Sequence, residues 1–186
     1  MSRAPKIDKT SRGGPRGKLV FVLGGSASGK SEVALRLAGR TRPKAFVATG
    51  QGLDEEMSAR IARHRSTRSS DWTTSEVPVE LAAWFRKSGR RYRSIVVDCV
   101  TLWLNNLQEQ PGALLDIGSR ITELLRAMRT TTATVVVVSN ELGQGLVPAE
   151  PSARAFRDVA GLVNQQFAAE ADEVHLVSSG IPLRIK

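Results

Sequence analysis

Residues Gly24 to Ser31 read GGSASGKS, a complete G-x-x-x-x-G-K-[ST] pattern, and they constrain this chain more than any other stretch. Glycines let the backbone wrap closely enough to turn its N–H groups toward phosphate oxygens, and the positive end of a following helix adds to the attraction. The context fits: KLVFVL before the motif reads as a buried strand, and SEVALRLAGR after it as an amphipathic helix. In such a loop Lys30 reaches the β- and γ-phosphates and Ser31 ligates Mg²⁺. A further strand, SIVVD, ends on Asp98, placed to hold the metal's water shell.

The rest of the chain alternates short apolar runs with helical segments. KAFVAT reads as a strand, and a charged helix follows from about Asp54, its acidic first turn favoured by the helix dipole. Leu53, Met57 and Ile61 recur at i, i+4 and i+8 and are predicted to face the core. Pro78 is predicted to open the helix PVELAAWFRKSG, closed by Gly89. Leu102 to Leu107 reads as a short helix or turn. A longer helix spans about Pro111 to Met128, with Leu114, Ile117, Ile121, Leu124, Leu125 and Met128 on its apolar stripe. ATVVVVS is the most apolar strand, Pro151 to Glu170 is helical, and EVHLV and IPLRIK close the chain as strands joined by SSG. This alternation implies an α/β fold, a mostly parallel sheet with helices on both faces.

The 186 residues suit one domain. It is expected over residues 18–186, behind a disordered basic extension over 1–17. The first 18 residues hold six Lys/Arg against one Asp, so they carry +5 of the net +9. They lack the apolar stretch of a secretory signal. No apolar run approaches the roughly 18 residues needed to span a bilayer. Cys99 is the sole cysteine, which excludes an internal disulfide and fits a cytoplasmic setting.

One histidine stands out. His64 lies among Arg60, Arg63, Arg65 and Arg68 in EEMSARIARHRSTRSSDW. Neighbouring guanidinium groups keep an imidazole neutral and draw in anions, so a nucleophilic histidine beside a bound polyphosphate is one reading. A solvated basic face or a grip on nucleic acid is another. Phosphate loop and acidic strand end alone are shared by small-molecule kinases, nucleic-acid-dependent ATPases and molecular switches. Nucleic acid is not expected as a partner, because the aromatics that line single-strand grooves are missing.

Several blocks together resemble the bifunctional adenosylcobinamide kinase / adenosylcobinamide-phosphate guanylyltransferase family. They are GGSASGKS, VATGQGLDEEMSARIARHRSTR, WTTSEVP, VVDCVTLWLNNL, VVVVSNELGQGLVP and the stretch from ARAFRDVAG to the C-terminus. The resemblance implies a RecA-like P-loop core, a homotrimer, and ATP, GTP and Mg²⁺ as cofactors. It implies that adenosylcobinamide is phosphorylated and that GMP then passes from GTP, through a guanylylated His64, to adenosylcobinamide phosphate. Lys30 and His64 would be catalytic. Nucleotide contacts would come from Gly24, Gly25, Ser26, Ala27, Ser28, Gly29, Lys30 and Ser31, and from Thr49, Gly50 and Gln51. Arg65, Ser66, Thr67, Arg68, Glu76 and Asp98 would add to them, with Ser31 and Asp98 at the metal. Glu76 would bind the guanine N1–H and 2-amino edge. Asn140, Glu141, Arg154, Arg157, Asp158 and Asn164 would lie near the corrinoid or a subunit interface. Ala27 departs from the family loop, which carries arginine there, and the basic extension lies outside the family pattern.

Other conspicuous side chains read as structural. His175, in EVHLV, is expected to be exposed and inert. Cys99 reads as a core thiol, and Trp84, Phe85 and Trp103 as packing residues. A P-loop small-molecule kinase without covalent histidine chemistry and a nucleic-acid-binding ATPase stand as the competing readings.

Overall fold

A computed structural model of the chain describes residues 17–66, 68–110 and 116–186. The apolar runs form β1 (Leu19–Gly24), β2 (Lys44–Ala48), β4 (Ser94–Asp98), β5 (Thr134–Asn140) and β6 (Glu173–Ser178), with β3 (Trp72–Glu76) and β7 (Ile181–Arg184) at the edges. The sheet order is β3-β2-β4-β5-β1-β6-β7. Neighbours from β3 to β6 pair in parallel, and β7 returns antiparallel to β6. Sequence patterning does not assign β3, because WTTSE is a short edge strand in which Trp72 is the sole apolar residue and no alternation shows.

The period of two divides the core into two layers. Leu19, Phe21 and Leu23 face one side of the sheet, where Phe21 stacks on Phe167 with centroids 5.4 Å apart. Helices α3 (Leu81–Ser88), α4 (Val100–Gln108), α5 (Ile117–Arg129) and α6 (Pro151–Glu170) cover that face. Val20 and Val22 face the other side, under Val33 and Ala34 of α1 (Lys30–Leu37). Each fully buried aliphatic or aromatic side chain stabilises the fold by about 1.5–3 kcal/mol.

The structure corrects several expectations. Leu53 is 70% exposed. No described residue of α2 (Glu55–Ser66) is buried, and Met57 and Ile61 are only half covered, so this stripe does not join the core. Helix α3 starts at Leu81, not at Pro78, because Asn106 Nδ2 holds the Pro78 carbonyl (2.9 Å) and Leu81 N turns back to Val79 O (2.9 Å). Helix α5 begins at Ile117; Pro111 and Leu114, expected within it, lie outside the described residues. Residues 1–16 of the extension also lie outside them. Gly17, assigned to that extension, belongs to the fold: its N–H donates to Thr131 O (3.0 Å), and a Cβ there would meet Ala133 O at 2.2 Å.

His175 is buried, not exposed, at 8% accessibility. Its Nε2 lies 3.5 Å from Glu173 Oε2, and Glu173 also holds Lys18 (2.8 Å) and Arg184 (3.1 Å). The antiparallel β7 covers one flank of β6 and converts a face that looks polar in sequence into a closed ionic cluster. The remaining packing expectations agree with the fold. Phe85 is fully buried, Trp84 packs against the core, and Trp103 is buried with Nε1 donating to Val79 O (2.7 Å).

Candidate nucleotide and phosphoryl-transfer site

The loop after β1 is shaped by its glycines. A Cβ on Gly24 would stand 2.5 Å from Ser28 Oγ and 2.6 Å from Val177 O. Gly29 has φ +85°, the left-handed region that glycine enters without strain, and caps α1. The β6–β7 turn braces the loop from outside, where Gly180 N donates to Ser28 O (2.8 Å). Ala27 also sits at positive φ (55°), a conformation an L-residue holds only when its surroundings enforce it. Lys30 Nζ donates to Gly25 O (2.8 Å), folding the ammonium back over the loop. Ser28 Oγ is buried and has no hydrogen-bond partner among the described residues. A loop of this shape beside an α-helix N-terminus, with a buried hydroxyl awaiting an acceptor, fits a phosphate chain.

The carboxyl ends of the strands line up beside the loop. Ala48 of β2 pairs with Glu76 of β3 on one side and Asp98 of β4 on the other. Strand spacing therefore sets Glu76 about 10 Å from Asp98 across the sheet tips. Two cavities open above them. The larger, about 560 Å³, is lined by residues 27–32 of the loop and α1, with Leu35, Phe46, Arg63 and Arg68. The smaller, about 130 Å³, joins Lys30, Ser31, Asp98 and Asn140 to an apolar wall that includes Met57, Ile61 and Leu102. Arg68 lines both, its guanidinium 3.8 Å from the Phe46 ring centroid. Burial lowers the Arg68 pKa, while the nearby Asp98 carboxylate pulls it upward. Arginine stays charged through such shifts, so a cation stands between the cavities.

Ser31 and Asp98 share the smaller cavity with Lys30, which suits an ion arriving with the nucleotide. Among the described residues no group of three or more His, Cys, Asp or Glu could hold a metal by itself. Magnesium fits that pattern, because it retains water and phosphate ligands and needs few from protein. Cys99 is not a nucleophile here: burial first, and Asp98 second, push its thiol up to about 12.

The structure sorts the other sequence-derived candidates. Of the loop residues, Gly24 ends β1, Gly25, Ser26, Ala27, Ser28 and Gly29 make the turn, and Lys30 and Ser31 open α1. Thr49 is buried, its hydroxyl donating to Cys99 O and accepting from Cys99 N (2.8 Å each), which makes it a brace between the β2 and β4 tips. Asn106 of α4 adds to that brace, donating to Thr49 O (2.8 Å). Gly50 borders the smaller cavity, and Gln51 and Glu76 are exposed. Arg65 and Ser66 end α2 on exposed positions, whereas Thr67 lies outside the described residues. The backbone of His64 is in α2, seven residues after Met57 and three after Ile61. Helical period places position 64 on the same stripe as those two cavity residues. Arg63, which sequence reasoning does not single out as a contact, lines the larger cavity, and its signal in the sequence is membership of the arginine run. Asn164, expected near the corrinoid or an interface, is buried at 5% accessibility. Arg154 is engaged with the carbonyls of Pro148 and Ala149.

Fold and loop together define a nucleotide-binding P-loop protein of RecA-like fold, its loop set at the carboxyl ends of a mostly parallel sheet. Solved structures agree on the fold. A KaiC-like protein from Pyrococcus horikoshii superposes with TM-score 0.51 at 13% identity, over 87% of this chain and 71% of that one. A type III secretion system ATPase superposes with TM-score 0.54 at 12% identity, over 91% and 57%. The family model described as cobinamide kinase / cobinamide phosphate guanyltransferase matches residues 20–185, and the chain belongs to that family of bifunctional enzymes. It is 39% identical over 180 residues to the bifunctional adenosylcobalamin biosynthesis protein CobU of Escherichia coli K12, covering 90% of this chain and 99% of that one. The corresponding CobP of Pseudomonas aeruginosa is 38% identical over 171 residues, covering 89% and 96%.

Proposed function

We propose that this chain phosphorylates adenosylcobinamide with ATP or GTP, and then transfers GMP from GTP through a guanylyl-histidine at His64 to give adenosylcobinamide-GDP. One observation carries the reading: Lys30, Ser31 and Asp98 share a cavity with Met57 and Ile61, the helix stripe on which position 64 falls. Phosphate chemistry and a histidine-bearing helix thus meet over one loop.

In the kinase step the acceptor hydroxyl oxygen bonds the γ-phosphorus, and the bond to the β–γ bridging oxygen breaks. The nucleoside diphosphate keeps that electron pair, and the hydroxyl proton leaves to solvent. Lys30, the loop amides and Arg68 offset charge on the transferring group, which a loose transition state demands more than a strong base. In the second step a neutral ring nitrogen of His64 bonds the α-phosphorus and pyrophosphate departs. A phosphate oxygen of adenosylcobinamide phosphate then displaces the imidazole, so one difficult substitution between anions becomes two easier ones. Arg63 and Arg65, adjacent in sequence, disfavour the inert imidazolium. Arg63 and Arg68 line the same cavity as Ala27, which itself supplies no charge. Mg²⁺ held by Ser31 and Asp98 would neutralise phosphate charge. Glu76 would read guanine, accepting from its N1–H and 2-amino groups.

The wider assignments follow the same reading: residues 17–186 act as one catalytic domain, as a homotrimer, in the cytoplasm. No helix among the described residues is long and apolar enough to cross a membrane.

The test is GTP labelled at the α-phosphate. Wild type should acquire acid-labile, base-stable label and discharge it to added adenosylcobinamide phosphate. His64→Ala should stay unlabelled yet keep kinase activity, and Lys30→Ala should lose both by about a hundredfold or more. Label retained by His64→Ala would remove the histidine from the mechanism and leave a P-loop kinase.

A further inference from the structure

The tip of β5 carries a polar ring that neither the loop motif nor the histidine explains. Asn140 lies there, between β4 with Asp98 and β1 with the phosphate loop. Its main chain is clamped entirely by side chains on this side. Asn140 N–H donates to Thr101 Oγ1 (2.8 Å), and Asn140 O accepts from Asn164 Nδ2 (3.1 Å). Ser139 Oγ donates to Asn164 Oδ1 (2.7 Å) and lies 3.2 Å from Thr101 Oγ1.

Every proton in this ring has one possible direction. Asn164 uses its amide N–H on Asn140 O, so its oxygen must accept from Ser139. The Ser139 proton is thereby committed, so the Thr101 hydroxyl must donate to Ser139 while accepting from Asn140 N–H. Such a closed circuit strengthens each member and permits one arrangement. Thr101, Ser139 and Asn164 are all buried, so breaking it would strand polar groups.

What the ring holds in place is the Asn140 main chain, the base from which its carboxamide extends. Asn140 lines the smaller cavity with Lys30, Ser31 and Asp98. Its contact among the described residues is Nδ2 to Cys99 Sγ at 3.9 Å, the outer limit for a weak sulfur acceptor. An amide donor on a fixed main chain, with so weak a partner and sharing a small cavity with Lys30, is suited to a phosphoryl oxygen.

We propose that Asn140 donates a hydrogen bond to the terminal phosphoryl group of the bound triphosphate, and that Asn164, through Ser139 and Thr101, is the positioning residue that aims it. The kinase assignment above is the basis for the turnover part of this inference. In the transfer itself the γ-phosphorus gains the acceptor oxygen and loses the β–γ bridge, while Asn140 changes no covalent bond. Its role is to favour triphosphate over diphosphate and to steady the group in flight.

Asn140→Ala should lower kinase kcat and ATP affinity each by about tenfold or more, the loss of one hydrogen bond to a charged group, while ADP affinity stays within about twofold. Asn140→Asp should be worse than Ala at pH 8 and recover as pH falls, because the protonated acid donates where the carboxylate repels; wild type has no such recovery. Asn164→Ala should reproduce part of the kcat loss with the adenosylcobinamide KM unchanged, and Ser139→Ala serves if that variant does not fold. Equal weakening of ATP and ADP in Asn140→Ala, or kcat within about threefold of wild type, would overturn the proposal. Should wild type fail to phosphorylate adenosylcobinamide, the kinase assignment falls, and the ATP-against-ADP comparison still decides the role of Asn140.

Discussion

At the scale of single residues, Glu76 tests whether the proposed site extends along the sheet beyond its loop. It ends an edge strand, is exposed, and stands about 10 Å from Asp98 by strand spacing. On the proposed reading, an extended nucleotide anchored at Lys30 and lying across the strand tips would run toward it. Glu76→Gln should lower kcat/KM for guanylyl transfer from GTP by about tenfold or more, because an amide cannot accept from both guanine N–H groups. Phosphorylation with ATP should be unchanged, and an equal loss in both reactions would argue for a structural role. Residues differ in how legible they are. The loop is legible because glycines, lysine and serine at fixed spacing have few other uses. Thr49, Thr101, Asn106, Ser139 and Asn164 are not, because neutral polar residues near strand ends carry no period, and only the folded chain shows which carbonyls they meet.

At the scale of elements, strand and helix types follow the hydrophobic period closely for β1, β5 and α6, whose runs are long and strongly patterned. Helix α2 departs from it instructively. Met57 and Ile61 have the spacing of a core stripe, and periodicity states that a partner exists without saying which. Their partner here is a cavity, not the hydrophobic core. Without a single buried described residue, α2 has little holding it in one place. A bound GTP would supply what is missing, through the arginines and the apolar wall. Amide hydrogen exchange across residues 55–66 should therefore slow about tenfold or more with GTP, while α6 changes little. Exchange that is equally fast with and without nucleotide would separate α2 from the site and remove the support for His64.

At the scale of the whole molecule, the two ends of the sheet are built from different chemistry. The carboxyl ends carry the loop, Asp98 and neutral polar braces. The amino ends are pinned by ions: Lys44 to Asp71 (2.8 Å), Lys18 to Glu173 (2.8 Å), and Arg129 to Asp172 (2.6 Å), which also accepts from Leu19 N (2.7 Å). Stability and turnover should therefore separate, and Asp71 offers the clearest test. Hydrogen bonds from Lys44 first and Ser69 second hold its carboxyl down at about 2, below the usual value of 3.8. A depressed acid stabilises the fold fully above its ordinary pKa, and that contribution drains as pH falls through 3.8 and is gone only below about 2, where both states are protonated. Asp71→Asn should then lower the melting temperature by a few degrees at pH 7 and leave kcat for both reactions within about twofold. The gap in urea midpoint between variant and wild type should be widest near neutrality and clearly smaller at about pH 3. A gap independent of pH would mean that Asp71 acts by packing and not by charge. A large fall in kcat at pH 7 would mean that the ionic end of the sheet is coupled to the catalytic end after all.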